Sequence, residues 1–496
     1  MSCDIRAFGA IADDAAFDTA PIQAAIDACA TSGGKVLVPP GRWLTGTLHL
    51  RSNIDFHLTG GAILMGSTSF DDYEAFSRDP KRTDPRRWYR AHIVGLGVEN
   101  VTISGQGTID GQGEPFWEDH YAKGRPDIEQ RPERQVAFAD CQNVRVEDVT
   151  ITHAAMWGLV YQDCDDVTTD GISVYNPAHS PNTDGIVIRD TTDAIITGVR
   201  IATGDDAIVV KSDDRFVENL LVTDSILQSD NAGLKFGTAG RVGVRNSLFS
   251  DIIIHDTRDG IALYQIDGGS YINNRFHNIR IETGGRTDRH YPIFVDVDVR
   301  REGGSLGKIE ALTFSEIDIT STGNIVISGN RSSPIKNLLL QDITFRIPAG
   351  AFPLAKTRSK PRGSRKLRAT SISEDYSRVP AQFVLANIFD LRLGDVQIRH
   401  QDRIRPRTAI WLHHVQDGEL AKVDVTNVSS AGLPVLEFHE VQKVHVRDMR
   451  APEGTSVFLK APDEQDDEIT FWNVDMTAAK IGVDGTDLDV PSSSPK

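Results

Sequence analysis

The sequence predicts an all-β fold, a parallel β-helix whose N-terminal end is covered by a helix. Three observations lead to this prediction: short β-branched segments recur, Asn, Asp or Gly separate them, and no helical pattern lies within the repeat. Successive starts are 23 to 27 residues apart, and the clearest copies begin at Asn143, Asp166, Asp193, Asn219, Asn246 and Asn273. A period of this length without helices is typical of one coil of a parallel β-helix.

Two other architectures fit the pattern less well. The LxxLxLxxN pattern of leucine-rich repeats is missing, and the Asn-Gly hairpin turns that an antiparallel sandwich needs are scarce. We therefore predict one continuous solenoid domain over 35–483, between an N-terminal cap region at 1–34 and a flexible tail at 484–496.

The cap is predicted as a helix over 19–31, because an exposed strand edge at the end of a solenoid invites pairing. Asp18 or Thr19 is expected to cap its first turn, and the Gly33-Gly34 pair is expected to end it. The apolar residues of this segment follow helical spacing, at Ile22, Ala25, Ile26 and Cys29.

Three insertions interrupt the repeat, at 69–92, 112–135 and 349–380. Long loops on a rigid repeat usually form the walls of a binding groove, which we expect here. The third insertion contains the strongly basic stretch 356–368, for which a solvated or disordered loop is the simpler interpretation. The first two insertions carry aromatic residues and arginines, namely Trp88, Tyr89, Arg90, Trp117, Tyr121 and Arg131.

The charge of the chain excludes two classes of partner. Its 496 residues include 53 Lys+Arg against 70 Asp+Glu, a formal net charge of −17 at pH 7. That balance repels duplex nucleic acid and anionic membrane surfaces, so neither is expected as a partner. No apolar run approaches the roughly 20 residues of a membrane span. The oligomeric state is left open by the sequence.

The cysteines are expected to be neither metal ligands nor a disulfide framework. The four cysteines lack the CxxC spacing of a metal site and are too few for a disulfide scaffold, so we expect buried free thiols. Cys141 and Cys164 lie one repeat apart and can face each other. No metal or cofactor is predicted.

The first residues lack the features of a signal peptide, which predicts a cytoplasmic protein, or a secreted or periplasmic one if a leader has been removed.

The repeat places three carboxylates close together. Asp184 lies in SPNTDGIVI, and Asp205 and Asp206 lie in TGDDAIVVKS, one coil later. Residues at equivalent positions of neighbouring coils are roughly 4.8 Å apart. Carboxylates at this spacing repel one another, which suits a site where one group keeps a proton as general acid and another stays ionised as base. Cleavage of glycosidic bonds needs such a pair, although turn residues without a catalytic role would show the same spacing.

At these residues the chain resembles a known family. PNTDG at 181–185 followed by GDDAI at 204–208 resembles the signature of glycoside hydrolase family 28, the polygalacturonases. The segments SGQGTIDGQG at 104–113 and RPERQVAFADCQNV at 131–144 are also similar to uncharacterised bacterial members. The resemblance implies a right-handed parallel β-helix and a hydrolase that cleaves a plant or microbial polysaccharide or oligosaccharide with inversion at the anomeric carbon.

The resemblance also implies roles for individual residues. Asp205 corresponds to the family's general acid, and Asp184 and Asp206 correspond to the carboxylates that activate water. Asn182 would orient the cluster. His179 and Lys211 are further candidates, the first for orienting a carboxylate or contacting sugar and the second for balancing the acidic charge.

The chain departs from the family at two positions that recognise substrate. Ala232 stands where the family's histidine is expected, and Ala262-Leu263-Tyr264 replaces its Arg-Ile-Lys. We therefore expect an altered sugar specificity. A different subsite is predicted on the corresponding coil faces, formed by Lys235, Tyr264, Gln265 and Asp267. Stacking on sugar rings is a further possibility for three aromatic residues, with burial against the coils as the alternative: Trp88, Trp117 and Tyr121.

Two other functions stay open from the sequence alone. A β-helix polysaccharide lyase would bind calcium among acidic residues such as Asp205, Asp206, Asp213 and Asp214, with Lys211 or Lys235 as the base. A non-catalytic, adhesin-like β-helix would bind glycans with the aspartates serving only as turn residues.

Overall fold

The computed structural model confirms the predicted parallel β-helix and its N-terminal helical cap. It describes residues 2–77, 89–122, 130–284, 290–349, 376, 379–401, 407–426, 432–462 and 467–485. The chain divides into two compact units, 1–232 and 233–496. Strands of both units stack in parallel, as the repeat pattern indicates. The continuity of a single solenoid over 35–483 stays a prediction.

The first unit contains short strands, two α-helices (α1, Thr19–Ala30, and α2, Glu114–Ala122) and the 3-10 turns Ile5–Phe8 and Phe70–Asp72. Its strands are β1 Ser2–Asp4, β2 Gly34–Val38, β3 Gly41–Thr45, β4 Leu48–His49, β5 Ile54–Leu58, β6 Ala62–Gly66, β7 Ala75–Phe76, β8 Tyr89–Leu96, β9 Glu99–Gly105, β10 Thr108–Asp110, β11 Arg134–Ala139, β12 Gln142–Glu147, β13 Thr150–Thr152, β14 Trp157–Gln162, β15 Asp165–Asp170, β16 Ser173–Tyr175, β17 Ile186–Arg189, β18 Thr192–Thr197, β19 Arg200–Thr203, β20 Ile208–Ser212 and β21 Val217–Ser229.

The strands that follow are on average longer, because several bend at a corner without a break in their pairing. They are β22 Ala232–Gly240, β23 Gly243–Thr257, β24 Asp259–Gln265, β25 Ser270–Thr283, β26 Tyr291–Val297, β27 Lys308–Thr320, β28 Ile325–Ser328, β29 Ile335–Ile347, β30 Ala381–His400, β31 Thr408–Thr426, β32 Leu436–His439, β33 Gln442–Arg450, β34 Val457–Ala461, β35 Asp467–Asp475 and β36 Ile481–Gly485.

Each coil of the first unit contributes one strand to each of three parallel sheets. For example, β11 pairs with β8 and β14, β12 with β9 and β15, and β13 with β10 and β16. Only alternate side chains face inward, so the apolar positions of successive coils stack. In the second unit the rings of Phe249, Phe276 and Phe314 are stacked with centroids 4.9 and 5.1 Å apart. Such stacked rings contribute beyond their buried area.

Asparagine and aspartate hold the corners between strands. Asn53, Asn100 and Asn143 have left-handed φ angles of +63°, +57° and +51°. The Asn100 amide donates to Asn53 Oδ1 at 2.9 Å, and the Asn143 amide donates to Asn100 Oδ1 at 2.8 Å. Asn and Asp tolerate this conformation better than other residues with a side chain. The Asn and Asp residues that separate the β-branched segments in the sequence therefore lie at the corners of the coils.

The cap matches the prediction with two differences. Helix α1 buries Ile22, Ala25, Ile26 and Cys29, as its spacing predicts. Asp18 occupies the N-cap position, but its side chain accepts a hydrogen bond from the Ile11 amide at 2.9 Å instead of capping the helix. In addition, β1 precedes the helix and pairs in parallel with β2, so the region before 35 already contains a strand of the solenoid.

The insertions contain structure that the sequence did not predict. Helix α2 lies in the second insertion, and β7 pairs antiparallel with β8 in the first. Trp88, the basic stretch 356–368 and most of the third insertion lie outside the described residues. In the part of the chain that is described, no helix is long and apolar enough to cross a membrane.

The four cysteines are buried and unpaired by disulfides, as expected. The neighbouring Cys164 thiol lowers the pKa of Cys141. Burial raises the pKa of the Cys164 thiol.

His92 of β8 is a neutral histidine inside the core. Gln135 Nε2 lies 2.9 Å from its Nδ1, and Thr45 Oγ1 lies 2.6 Å from its Nε2. Because an amide nitrogen can only donate, Nδ1 accepts and Nε2 carries the proton. Burial lowers the pKa of His92 to about 3.

This burial predicts a loss of stability in mild acid. The unfolded chain takes up the His92 proton as the pH falls through about 6.5, whereas the folded chain does so only near pH 3, so stability decreases across that window. Between pH 8 and pH 5 the contribution is about 2 kcal/mol. His92→Gln should lose less unfolding free energy over this range, measured by denaturant titration at both pH values. Equal losses in the two proteins would contradict the assignment.

Candidate active site

The structure brings together the three aspartates predicted to be catalytic. Asp184 precedes β17, and Asp205 and Asp206 connect β19 to β20. Strand β17 pairs with β20, with Ile186 opposite Ile208, so Asp184 and Asp206 occupy matching positions on neighbouring coils. One carboxylate oxygen from each of the three residues lies within 4.8 Å of the other two.

The glycines of the two motifs permit this close stacking. A Cβ atom at Gly204 would overlap the carbonyl oxygen of Ser180 on the preceding coil. A Cβ atom at Gly185 would lie 2.6 Å from the carbonyl oxygen of Ala207. Both positions therefore require glycine for the backbones to approach, which gives the NTDG and GDD patterns a structural reason beside the chemical one.

The three carboxylates differ in exposure. Asp184 and Asp206 are buried, at 4% and 2% exposed, whereas Asp205 is partly exposed. Negative charges this close repel one another. The arrangement gives one carboxyl group that a large molecule can reach and two that a small molecule such as water can reach.

Asn231 is a site residue that the sequence reasoning missed. Its Nδ2 atom lies 2.6 Å from Asp205 Oδ1 and 2.6 Å from Asp206 Oδ1, so one amide group bridges the pair. Its backbone N–H donates to Ser229 Oγ at 2.9 Å, which holds the backbone at this position. Asn231 lies one coil after Asp206, and the same stacking rule that aligned the aspartates identifies it.

Asn182 contacts the cluster, and a buried arginine holds it in place. Its Nδ2 atom donates to Asp205 Oδ2 at 3.5 Å. Arg131 donates to Asn182 Oδ1 at 3.1 Å and to the carbonyl oxygens of Pro181 and Ala155 at 2.9 and 3.0 Å. Arg131 is 1% exposed. It therefore serves as a positioning residue for the loop that carries Asn182.

Lys211 lies beside the cluster. Its Nζ atom is 3.8 Å from Asp184 Oδ2 and 5.3 Å from the ring centre of Trp157. Trp157, which sequence reasoning did not single out, is half-buried over the buried valines of neighbouring coils. The cation therefore faces both a carboxylate and an aromatic ring next to the acidic cluster.

The histidine and aromatic candidates differ in their exposure. His179 is exposed, and its ring meets that of Trp117 edge-on at 5.8 Å. Trp117 is 2% exposed and donates from Nε1 to the Ala154 carbonyl at 3.1 Å, so it supports His179 from below and does not stack on a sugar. The side chain of Tyr121, like Trp88, lies outside the described residues.

The predicted subsite residues of the second unit are only partly suited to contact a sugar. Lys235 Nζ lies 5.9 Å from the ring centre of Tyr264, so these two form a pair. Gln265 is fully buried, and Asp267 is occupied by an ion pair with Arg300. The positions of Gln265 and Asp267 do not support direct contact with a sugar.

The aspartates proposed for calcium binding in a lyase are not assembled into one site. Among the described residues, the three-carboxylate cluster consists of Asp184, Asp205 and Asp206. Asp213 instead pairs with Arg189, and its backbone amide donates to Asp190 Oδ1 at 2.6 Å.

Comparison with known proteins adds independent information. The sequence profile of Glycosyl hydrolases family 28 matches residues 31–356. A probable polygalacturonase of Arabidopsis thaliana is 30% identical over 273 residues, which cover 52% of this chain and 58% of that protein. A polygalacturonase of Persea americana is 26% identical over 357 residues, 68% of this chain and 72% of that protein. The matched region thus spans little more than half of the length of the first of these relatives.

A solved structure is similar over most of the chain. The family 28 exopolygalacturonase of Yersinia enterocolitica has a TM-score of 0.58 at 17% sequence identity, with 90% of this chain and 78% of that one covered. At this identity the likeness establishes the fold alone.

The position of Arg131 predicts a large effect on stability. Arg131→Met keeps the length of the side chain but leaves its three acceptors without their buried donor, which should lower the unfolding free energy by about 2–4 kcal/mol. The exposed Arg145, which pairs with Glu147 at 3.3 Å, offers a control: Arg145→Met should change it by less than about 1 kcal/mol. Denaturant titration that finds equal effects would refute the positioning role.

Proposed function

The chain belongs to glycosyl hydrolases family 28, and from this premise we propose that it hydrolyses glycosidic bonds in a pectin-like polysaccharide or oligosaccharide. The observation that carries the proposal is the cluster of Asp184, Asp205 and Asp206. Cleavage of a glycosidic bond requires one carboxyl group that protonates the leaving oxygen and a second that assists the nucleophile. The polygalacturonases among the relatives support the pectin-like class of substrate.

Asp205 is assigned as the general acid. It is the partly exposed member of the cluster, so it can reach the oxygen between two sugar residues. Asn231 donates to its Oδ1 at 2.6 Å, whereas the contact of Oδ2 with Asn182 is long, at 3.5 Å. Oδ2 is therefore the oxygen assigned to carry the proton that the leaving group receives.

Asp184 and Asp206 are assigned as the carboxylates that activate water. Lys211 Nζ at 3.8 Å favours the ionised form of Asp184, and Asn231 does the same for Asp206 by donating to its Oδ1. A water molecule held between the two carboxylates loses its proton to one of them as it attacks the anomeric carbon. The bond from that carbon to the leaving oxygen breaks as Asp205 gives up its proton.

Single displacement is favoured by burial, although the spacing of the cluster is short. Carboxyl groups about 5–5.5 Å apart are usual for double displacement, and about 6.5–9.5 Å for single displacement. The closest oxygens here are within 4.8 Å. Burial favours single displacement, because a carboxylate that is 2–4% exposed is accessible to water but not to a sugar carbon with which it would have to form a bond.

The configuration of the first product tests the displacement. Proton NMR recorded during the first turnovers on a pectic oligosaccharide should show the anomer opposite to that of the substrate bond. Retention would assign one of the buried aspartates as a covalent nucleophile, and an unsaturated product that absorbs ultraviolet light would instead identify a lyase.

The substrate is proposed to differ from unmodified polygalacturonate. Ala232 and Ala262 are buried and uncharged, and Tyr264 is only 5% exposed, so the family's basic recognition positions carry no charge here. Lys211 and Lys235 are the cations that remain near the expected subsites. A uronate carboxylate needs both charge and geometry for tight binding, which two displaced lysines do not reproduce.

Unmodified polygalacturonate should therefore be cleaved more slowly than at least one other member of a pectic glycan panel. Tyr264→Lys alone should raise its cleavage by less than about tenfold, because one charge without its partners supplies little of the recognition energy. Release of reducing ends is the measurement. Polygalacturonate as the fastest substrate of the unaltered protein would show that the departures do not control specificity.

The roles of the aspartates predict distinct kinetic behaviour. Asp205→Asn is nearly isosteric and should keep the fold, but loss of the proton donor should reduce the rate by about 10²–10⁴. Asp184→Asn should be similarly impaired, and the double variant should lose less than the sum of the two because the groups act as a unit. An aryl glycoside with a good leaving group should restore Asp205→Asn more than Asp184→Asn, since it needs little protonation. Equal restoration would contradict the assignment.

A further inference from the structure

The second unit, which does not contain the aspartate cluster, carries a row of aligned side chains. Lys336, Phe389, Gln416 and Gln442 occupy the same position on four successive coils, with Lys336 opposite Phe389, Phe389 opposite Gln416, and Gln416 opposite Gln442. With about 4.8 Å between paired strands, the row extends over roughly 14 Å. Three of its four residues lie beyond residue 356, where the family match ends.

The corners of the coils turn this row outward. Asn387 and Asp390 have left-handed φ angles of +53° and +60° and enclose the pair Ile388 and Phe389. Ile388 is 1% exposed and Phe389 is 38% exposed, so one residue of the pair enters the core and the other faces solvent. The same two bends recur on the next two coils, at His414 and Asp417 and at Glu440 and Lys443.

Phe389 separates two cavities. One of about 400 Å³ is lined by Lys336, Gln416 and Gln442 with the Arg331–Glu440 pair, and the other, of about 270 Å³, by Asp390, Arg392, Asp417, Lys443 and His445. The larger is within the range of about 300–1,000 Å³ that is usual for small-molecule sites. An aromatic ring between two polar cavities gives a groove with a platform at its centre.

The charges along the groove favour an anion. Arg331 is neutralised by Glu440, with two hydrogen bonds of 2.9 Å, and Arg392 is neutralised by Asp390 at 3.0 Å. Within the described residues, Lys336 and Lys443 form no such ion pair, so each presents its charge to the groove. With Asp417 included, the two cavities are lined by four Lys and Arg side chains against three carboxylates, which is a locally basic surface on a chain with net charge −17.

We propose that this groove is a second, non-catalytic binding site for an acidic oligosaccharide. The Phe389 ring receives the apolar face of one pyranose, the amides of Gln416 and Gln442 bond hydroxyl groups, and Lys336 and Lys443 pair with carboxylates. The rise of one coil is close to the length of one pyranose residue, so successive sugars meet successive coils. The choice of a uronate as the acidic sugar rests on the proposed function.

Binding to the full chain carrying Asp205→Asn tests the site without turnover. Isothermal titration with hexagalacturonate should show an affinity that Phe389→Ala weakens about three- to tenfold. Leu248→Ala is the matched control, because Leu248 is also 38% exposed in the same unit. Lys336→Gln should weaken binding of the hexagalacturonate and reduce its salt dependence, with little effect on a neutral galactan oligomer.

The outcomes separate this proposal from the proposed function. If Phe389→Ala binds hexagalacturonate as well as Leu248→Ala does, the groove is not a saccharide site. If the neutral oligomer binds equally well through Phe389, the assignment of an acidic ligand is wrong. If the unaltered protein cleaves no glycan while Phe389→Ala still loses affinity, the hydrolase proposal fails and the groove stands.

Discussion

The parallel register between successive coils is the constraint on which the rest of this structure depends. Because each strand pairs with its counterpart about 4.8 Å away, a residue that occupies one position of a coil lies directly over its equivalent on the next. The register survives only if every coil turns at the same place, and left-handed residues such as Asn53, Asn100 and Asn143 make those turns. Their amide ladder then links the corners to one another.

The same register concentrates charge at the aspartate cluster. Asp184 and Asp206 are held at matching positions by backbone pairing that does not depend on their side chains, with the Gly185 amide donating to the Asp206 carbonyl at 2.9 Å. Their repulsion is therefore balanced by the ladder of backbone hydrogen bonds and by local partners such as Asn231 and Lys211. The repelling carboxylates stay close together because the backbone pairing that places them does not depend on their charges.

The features that repeat from coil to coil could be predicted from the sequence, whereas few features of the insertions could. The coil period, the cap helix and the proximity of Asp184 to Asp205 follow from spacing alone, since stacking converts sequence separation into distance. Helix α2 and the role of Arg131 arise in an insertion, where contacts depend on tertiary packing and no period exists to reveal them. Trp117 is an example. Its residue type suggested stacking on a sugar ring, but it is buried and its indole donates to a carbonyl oxygen of a coil.

A solenoid of this kind separates the residues that fix the backbone from those that meet a ligand. The inward residue of a coil and the residue with a left-handed φ angle at its corner maintain the register, as Ile388 and Asn387 do. The neighbouring outward residue, such as Phe389, does not contribute to the register. Outward positions can therefore change without moving a catalytic group on another coil. That separation explains how a coil beyond the family match can acquire a binding surface of its own while the aspartate cluster keeps the family pattern.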